Sequence, residues 1–299
     1  MMLELNEKKI RKGKPLGLPY QGSKKKISKK IVEIIKQNFG TEKPIYDIFG
    51  GGGAITAECL LNGLEVHYND LDETATSMFQ KVVSEDRDYL KTLIVSRDEF
   101  LKIREKENKT VDEELKLLVN SFGNNRKGYL YSKEISDLKY NLVIEIIKNH
   151  DIFSSYRQTE TYKMVTSGSD WDWFNEKLER ARVLEQLQRL DQLERLQQLN
   201  GVKVTNKSYH DFSEVSGAIL YLDPPYEGTS QDSYINSFDS QSFYNWAYEM
   251  SKKNIVLISS YEISDSRFEC VYEFKNARSA LCASGYGDKT EKLFMVKRG

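Results

Sequence analysis

A short apolar segment that breaks into four glycines limits most strongly how this chain can fold. Pro44 is followed by IYDIF, by the glycines at 50–53 and by the helix-forming segment AITAECLL. The next segment, LEVHYND, alternates apolar and polar residues and ends at Asp70. A strand, a glycine loop, a helix and a second strand in this order predict an open parallel sheet of the α/β class. An apolar stripe at 27–38 predicts a helix before the first strand.

Strand-like segments return late in the chain, at 202–206, 218–222, 254–259, 268–274 and 293–297. The intervening residues differ in composition and show helical patterns at 111–119 and 134–148. We therefore predict a catalytic domain formed by residues 1–80 and 201–299, with residues 81–200 as an inserted, mainly helical lobe.

Leucine recurs at every third position between residues 184 and 199. Because a period of three does not match the 3.6 residues of an α-helical turn, the repeat favours a 3₁₀ or polyproline-like segment. We interpret it as a packing element or spacer between lobes.

Composition excludes several classes of protein. The chain is 39% hydrophobic and 30% charged, as in soluble globular proteins, and no apolar run is long enough to cross a membrane. Its three cysteines are widely spaced, which argues against a disulfide framework or zinc site and favours a cytoplasmic protein. The net charge is −1, yet residues 1–30 contain ten Lys and Arg against two Glu. This basic arm either contacts phosphates or is a solvated tail.

The most specific motif is DPPY at 223–226, directly after the apolar segment AILYL. Ligands of open parallel sheets bind beyond the carboxyl ends of strands, where this motif would lie. The prolines stiffen the loop, while the Asp223 carboxylate and the Pro224 carbonyl could accept both N–H groups of an exocyclic amine. Tyr226 offers a ring on which an extruded base could stack. The alternative is an ordinary turn at the end of a strand.

The glycine loop supplies a second signal. It permits close approach of a ligand to the backbone, and Asp70 is placed to bind a ribose diol, so the pair favours an adenosine-containing cofactor. The spacing of the glycines does not fit the GxGxxG pattern of dinucleotide-binding proteins, which disfavours a nicotinamide dehydrogenase. A third element, YQGSK at 20–24, contains Gly22 for close approach and Lys24 for a carboxylate.

In order and spacing, these motifs resemble those of the Dam-type adenine-N6 DNA methyltransferases: a [YW]xGxK element, an FxGxG loop, an acid ending the next strand, and DPPY. The resemblance implies a Rossmann-like S-adenosylmethionine-dependent methyltransferase fold with a DNA-recognition lobe in the insertion. It also implies direct methyl transfer from S-adenosylmethionine to N6 of a flipped adenine, without a metal or a covalent intermediate.

The residues and the resemblance together predict the site. Catalytic roles fall to Asp223, Pro224, Pro225 and Tyr226. Cofactor contacts are expected from Tyr20, Gly22, Lys24, Asp47, Phe49, Gly51, Gly53, Asp70, Ser208, Tyr209 and Asp223. DNA contacts are expected from Asn120, Asn124, Asn125, Arg126 and Lys127, in a stretch similar to the family's Asn- and Gly-rich DNA-contact segment.

Other functions remain open at the level of sequence. An N4-cytosine methyltransferase attacks the same kind of amine but more often has Ser in place of Asp223. An RNA or protein-glutamine methyltransferase more usually has Asn there, and a catalytically silent DNA-binding relative is a further alternative. We expect a monomer that acts on double-stranded DNA, either alone or in a restriction–modification pair.

Overall fold

The computed structural model describes residues 2–20, 22–167, 183–199, 201–227, 238–278 and 290–297. The chain divides into two compact units. The first comprises Met1–Leu16, Gly22–Thr76 and Leu199–Gly299, and the second comprises Gly17–Gln21 and Ser77–Gln198. None of the helices in these described ranges is both long and apolar enough to cross a membrane.

The first unit is built on a mixed sheet with the strand order β3-β2-β1-β4-β5-β7-β6. The strands are β1 Ile45–Asp47, β2 Val66–Asn69, β3 Lys203–Thr205, β4 Ile219–Leu222, β5 Ile255–Ser260, β6 Phe268–Arg278 and β7 Thr290–Val296. Strands β1 to β5 are parallel, whereas β7 runs antiparallel to both β5 and β6. Because β1 has β2 on one side and β4 on the other, the strand order reverses there, and such a switch point is where open sheets bind ligands.

The α-helices of the described residues are α1 Ser28–Phe39, α2 Ala54–Leu61, α3 Glu73–Ser84, α4 Arg87–Lys91, α5 Arg97–Arg104, α6 Val111–Asn120, α7 Lys133–His150, α8 Glu160–Thr166, α9 Glu185–Gln197 and α10 Ser240–Ser251. Short 3₁₀ helices are Glu7–Lys9, Lys24–Lys26, Phe122–Asn124, Tyr156–Gln158 and Tyr209–Phe212.

Helices cover both faces of the sheet, as strand β4 shows. All four of its residues are buried, which is typical of a central parallel strand. Ile219 and Tyr221 pack in a cluster with α1 and α2, while Leu220 and Leu222 pack in a second cluster with α10. Alternate side chains therefore enter opposite cores, and this two-sided burial is the expected Rossmann-like α/β architecture.

The leucine repeat forms an α-helix, α9, so the expectation of a 3₁₀ or polyproline-like segment is wrong. Successive leucines three residues apart rotate by about 60° around an α-helix. Leu184, Leu187, Leu190, Leu193 and Leu196 are nevertheless all fully buried. Gln186 and Arg189 are buried with them. The repeat suits a helix enclosed on much of its circumference inside the second unit.

The basic arm is docked on the first unit and is not a free tail. Leu3 is buried, and its amide donates to the Val271 carbonyl at 2.8 Å. The Arg11 guanidinium pairs with the buried Glu58 carboxylate at 2.8 Å. At least one of the arm's cations is therefore paired with a carboxylate of the protein itself.

Candidate active site

Asp223 lies at the carboxyl end of β4, beside the end of β1. Tyr221 of β4 is in register with Asp47 of β1, so the loops that follow the two strands leave the sheet at the switch point. One is the loop that begins with Asp223, and the other is the glycine loop. Parallel pairing thus brings together two motifs that are distant in sequence.

Both oxygens of the Asp223 carboxylate have protein partners. The Lys24 ammonium lies 2.7 Å from Oδ2, and the Tyr226 hydroxyl donates to Oδ1 at 2.9 Å. Lys24 also lies 5.0 Å from the centre of the Tyr226 ring, and Tyr261 packs edge-on against that ring with centroids 4.7 Å apart. Lys24, Asp223 and Tyr226, all predicted site residues, therefore form one contact group.

The charged groups of this site are largely removed from water. Burial raises the pKa of Asp223, the neighbouring Lys24 cation opposes that rise, and the Glu291 carboxylate adds to it. Burial alone would lower the pKa of Lys24, but the carboxylates of Asp223 and Glu291 raise it above its ordinary value. The ammonium is therefore held in its charged form between acidic partners.

Glu291 is a residue of this site that the sequence analysis missed. It lies in β7, is only 7% exposed, and accepts hydrogen bonds from the Tyr226 hydroxyl and, at 2.7 Å, from the Ser259 hydroxyl. The Lys24 nitrogen is 3.7 Å away. Glu291 lies between Thr290 and Lys292 at the polar start of β7, so nothing in the local sequence marks it as a buried residue.

The glycine loop is shaped by direct contacts with β2. The Gly51 amide donates to the Asp70 carboxylate at 2.7 Å, and Gly51 and Gly53 have φ values of 48° and 69°, which favour glycine. Burial raises the pKa of Asp70 to about 6. The structure thus places the Asp70 carboxylate against the glycine loop.

Asp47 is buried beneath the same loop. Its Oδ2 accepts from the Thr56 amide at 3.1 Å and from the Thr56 hydroxyl at 2.7 Å, which ties the end of β1 to α2. Burial raises its pKa to about 7 against the opposing hydrogen bonds of Thr56. Asp47 is 1% exposed, so its observed contacts support the loop from within.

Asn69 is a second residue that the sequence analysis did not identify. Its amide nitrogen donates to the carbonyls of Ile48 and Lys207, at 3.0 and 2.9 Å. Its carbonyl oxygen accepts from Thr205 and from the Lys207 amide. One buried side chain therefore joins the ends of β1, β2 and β3.

An aromatic cluster lies next to these strand ends. The Phe49 ring stacks on Tyr209 with centroids 6.1 Å apart, and Phe238 is 6.2 Å from Phe49. Ser208 caps the 3₁₀ helix that contains Tyr209. The predicted cofactor contacts Phe49, Ser208 and Tyr209 are thus neighbours.

Two further predicted cofactor contacts, Tyr20 and Gly22, fall in different units. Gly22, with φ of 79°, lies in the first unit, whereas Tyr20 lies in the second, so the place of Tyr20 in the site stays a prediction.

The predicted DNA-contact residues occupy two kinds of position within the second unit. Asn120 is fully buried, and its amide nitrogen donates to the carbonyls of Leu93 and Lys116. Asn124, Asn125, Arg126 and Lys127 lie in the following loop, at least partly exposed. In this structure, then, Asn120 supports the loop from inside while the other four lie at the surface. Asn124 and Arg126 have φ values of 58° and 61°, an uncommon conformation outside glycine.

Within the described part of the chain, no group of three or more His, Cys, Asp and Glu side chains is arranged to hold a metal ion. The Asp223 carboxylate is paired instead with the Lys24 ammonium and the Tyr226 hydroxyl.

Two solved structures are similar to the chain over most of its length. One is of "putative methylase HI0767" from Haemophilus influenzae, with 10% identity, a TM-score of 0.33, and coverage of 91% of this chain and 98% of that one. The other is of "putative methyltransferase yhhF" from Escherichia coli, with 9% identity, a TM-score of 0.33, and coverage of 94% and 92%. No functional conclusion follows from similarities this low.

None of the curated proteins matches the sequence. A family model does match, over residues 20–280, and it describes the D12 class N6 adenine-specific DNA methyltransferases. The matched range includes the YQGSK element, the glycine loop, Asp70 and DPPY. The chain therefore belongs to the D12 class N6 adenine-specific DNA methyltransferase family and is an adenine-specific DNA methyltransferase.

Proposed function

We propose that this enzyme transfers a methyl group from S-adenosylmethionine to N6 of an adenine that is flipped out of double-stranded DNA. The main support is the position of Asp223, a carboxylate that is 16% exposed and lies at the switch point of the sheet. An acceptor fixed in advance can orient an amine and stabilise positive charge that develops on it.

The chemistry proposed for Asp223 follows from the donors of an amino group. The two N–H groups of the adenine amine donate to the Asp223 carboxylate and the Pro224 carbonyl, which leaves the nitrogen lone pair directed at the methyl group. The new N–C bond forms as the S–C bond breaks, its electron pair stays on sulfur, and the amine then loses one proton. The Tyr226 ring stacks on the extruded base.

The cofactor proposal is supported by the groups around the glycine loop. Asp70 provides a carboxylate for a ribose diol, and the half-buried rings of Phe49 and Tyr209 provide an apolar surface for an adenine ring. The acidic cluster of Asp223 and Glu291 suits a cationic sulfonium. S-adenosylmethionine, when bound, supplies the electrophilic methyl group.

The DNA-binding proposal is supported by the loop after α6. Lys127 is exposed and available to a phosphate, while Asn125 and Arg126 are types of residue that read base edges. Phe122, in the same loop, is a large aromatic side chain that is 65% exposed. We propose that this loop contacts DNA and that the enzyme acts as a monomer.

The proposal is tested by identifying the methylated product. The protein is incubated with methyl-labelled S-adenosylmethionine and with unmethylated double-stranded DNA, the same DNA as single strands, or RNA. The nucleosides are then separated by mass. Labelled N6-methyladenine from the duplex is expected. N4-methylcytosine would refute the choice of base, and labelling of RNA alone would refute the choice of substrate.

A further inference from the structure

We propose that Glu291 is a positioning residue for methyl transfer. It accepts a hydrogen bond from the Tyr226 hydroxyl, and it shares the Lys24 cation with Asp223. Asp223 can therefore accept a hydrogen bond from the adenine amine. This inference rests on the proposed function. It concerns a residue of β7 that is distant in sequence from every motif discussed above.

The burial of Glu291 is the first argument. A carboxylate that is 7% exposed in a central strand is costly unless it is hydrogen-bonded and paired. Among the described residues, the partners that meet this requirement for Glu291 are Tyr226, Ser259 and Lys24. The next residue, Lys292, instead forms a surface pair with the exposed Glu262.

The second argument concerns the single proton of the Tyr226 hydroxyl. Asp223 Oδ1 and Glu291 Oε1 both lie within hydrogen-bonding distance of that oxygen. One hydroxyl proton is donated to one carboxylate at a time. When it is donated to Glu291, Oδ1 of Asp223 is free to accept from an incoming amine. Without Glu291, the hydroxyl loses this acceptor, and donation to Asp223 then competes with the substrate.

The third argument concerns Lys24. Its nitrogen is 2.7 Å from Asp223 and 3.7 Å from Glu291, so the two carboxylates share one cation. With only Asp223 as partner, the ammonium would neutralise that carboxylate more completely. The site would then offer less negative charge to an amine that becomes positive during the reaction.

The loss of the Glu291 charge also changes when Asp223 ionises. Burial raises the pKa of Asp223, Lys24 lowers it and Glu291 raises it further, so removal of Glu291 moves it down. The other groups that face this cluster are Asp47 from β1, Asp70 after β2, Tyr221 from β4, Tyr226 after β4 and Tyr261 after β5. The Glu291 charge also raises the pKa of Tyr221 and of Tyr226, both of which burial already holds above their ordinary value.

The test compares wild type, Glu291→Gln and the control Glu262→Gln in single-turnover methyl transfer from about pH 5 to about pH 9. Gln keeps the size of the side chain and an oxygen that accepts from Tyr226 and Ser259, so a merely structural role predicts a normal rate. We expect Glu291→Gln to lower the maximal rate of the pH–rate profile by about tenfold or more. We also expect the pH at which its rate falls on the acidic side to be lower than in wild type. DNA affinity should be unchanged, and Glu262→Gln should behave as wild type. A maximal rate within about twofold of wild type, or an unmoved fall on the acidic side, would overturn the proposal.

A second readout does not need activity. The thermal unfolding of Lys24→Met, Glu291→Gln and the double variant forms a mutant cycle. Removal of Lys24 alone leaves two buried carboxylates facing each other, so the double variant is expected to unfold at a higher temperature than Lys24→Met. Strictly additive shifts would refute the sharing of Lys24. If the wild-type protein methylates no DNA, the proposed function fails, while this cycle still decides whether Glu291 shares Lys24.

Discussion

The ring of Tyr68 fills the space that a side chain at Gly50 would need. A Cβ atom built on Gly50 would lie 2.3 Å from Cε2 of that ring. The Tyr68 hydroxyl also donates to the Gly51 carbonyl at 2.7 Å. A residue of β2 therefore sets how closely the glycine loop approaches the sheet.

Gly50→Ala is predicted to destabilise the protein by about 1–3 kcal/mol, because either the loop or the Tyr68 ring must move. Denaturant unfolding measures this loss. Gly128→Ala serves as the control, since a Cβ there would meet no atom within 4 Å. Equal stability of the two variants would contradict the packing described for Gly50.

Asp47 should make the cofactor-free protein less stable as pH rises. Burial raises its folded-state pKa to about 7 from an ordinary value of 3.8, so between these two pH values the folded chain retains a proton that the unfolded chain has lost. The stability that Asp47 contributes by retaining this proton is complete below the pKa of the unfolded chain and is lost as pH rises through about 7. Asp47→Asn is expected to remove up to about 1.4 kcal/mol per pH unit of that decline.

The measurement is thermal or denaturant unfolding between about pH 5 and about pH 8, in wild type, Asp47→Asn and Asp98→Asn. Asp98 is exposed at the start of α5, and its substitution should leave the wild-type pH dependence in place. An unchanged pH dependence in Asp47→Asn would mean that this carboxyl does not take up a proton on folding.

Arg189 is predicted to hold in place the loop after α6, which we propose contacts DNA. Its buried guanidinium donates to the carbonyls of Val119 and Ser121, at 2.6 and 2.9 Å, where α6 ends. Arg189→Met leaves these carbonyls without their donor and should cost about 3 kcal/mol of unfolding free energy and weaken DNA binding. Arg195→Met, which removes a more exposed cation from the same helix, should cost less than about 0.5 kcal/mol. Similar losses in both variants would count against the supporting role.

Lys127 is predicted to neutralise a DNA phosphate. Lys127→Ala should weaken binding to duplexes of any sequence and reduce the slope of log affinity against log salt by about one. Lys43→Ala is the matched control, because Lys43 is exposed just before the amino end of β1, whereas the glycine loop follows the carboxyl end of that strand. If the two variants show the same salt dependence, the loop does not supply this contact.

Local motifs made much of the site predictable from sequence. The glycine loop, Asp70 and DPPY are each recognisable from a short stretch of sequence. They follow the carboxyl ends of β1, β2 and β4, and these three parallel strands are neighbours in the sheet. Glu291 was not predictable in this way, because nothing near it in sequence indicates that β7 lies beside β5. Its role depends on contacts with Tyr226 and Ser259, which only the folded sheet supplies.

Two other differences have physical causes. A leucine at every third position argues against an α-helix that buries one face, whereas α9 buries leucines around much of its circumference. Asn120 directly precedes the surface loop in sequence, but it is the last residue of α6 and its side chain is buried in the second unit. Periodicity and proximity in sequence do not report how many sides of a helix are covered.

The proposed methyl transfer depends most directly on Asp223, and the decisive measurement is the rate of N6-methyladenine formation by wild type and Asp223→Ala on the same duplex DNA. Wild type should form N6-methyladenine, and the variant should form it about 10³-fold more slowly while it still binds DNA. A variant that retained the wild-type rate would contradict the account, since the amine would then be held by other groups.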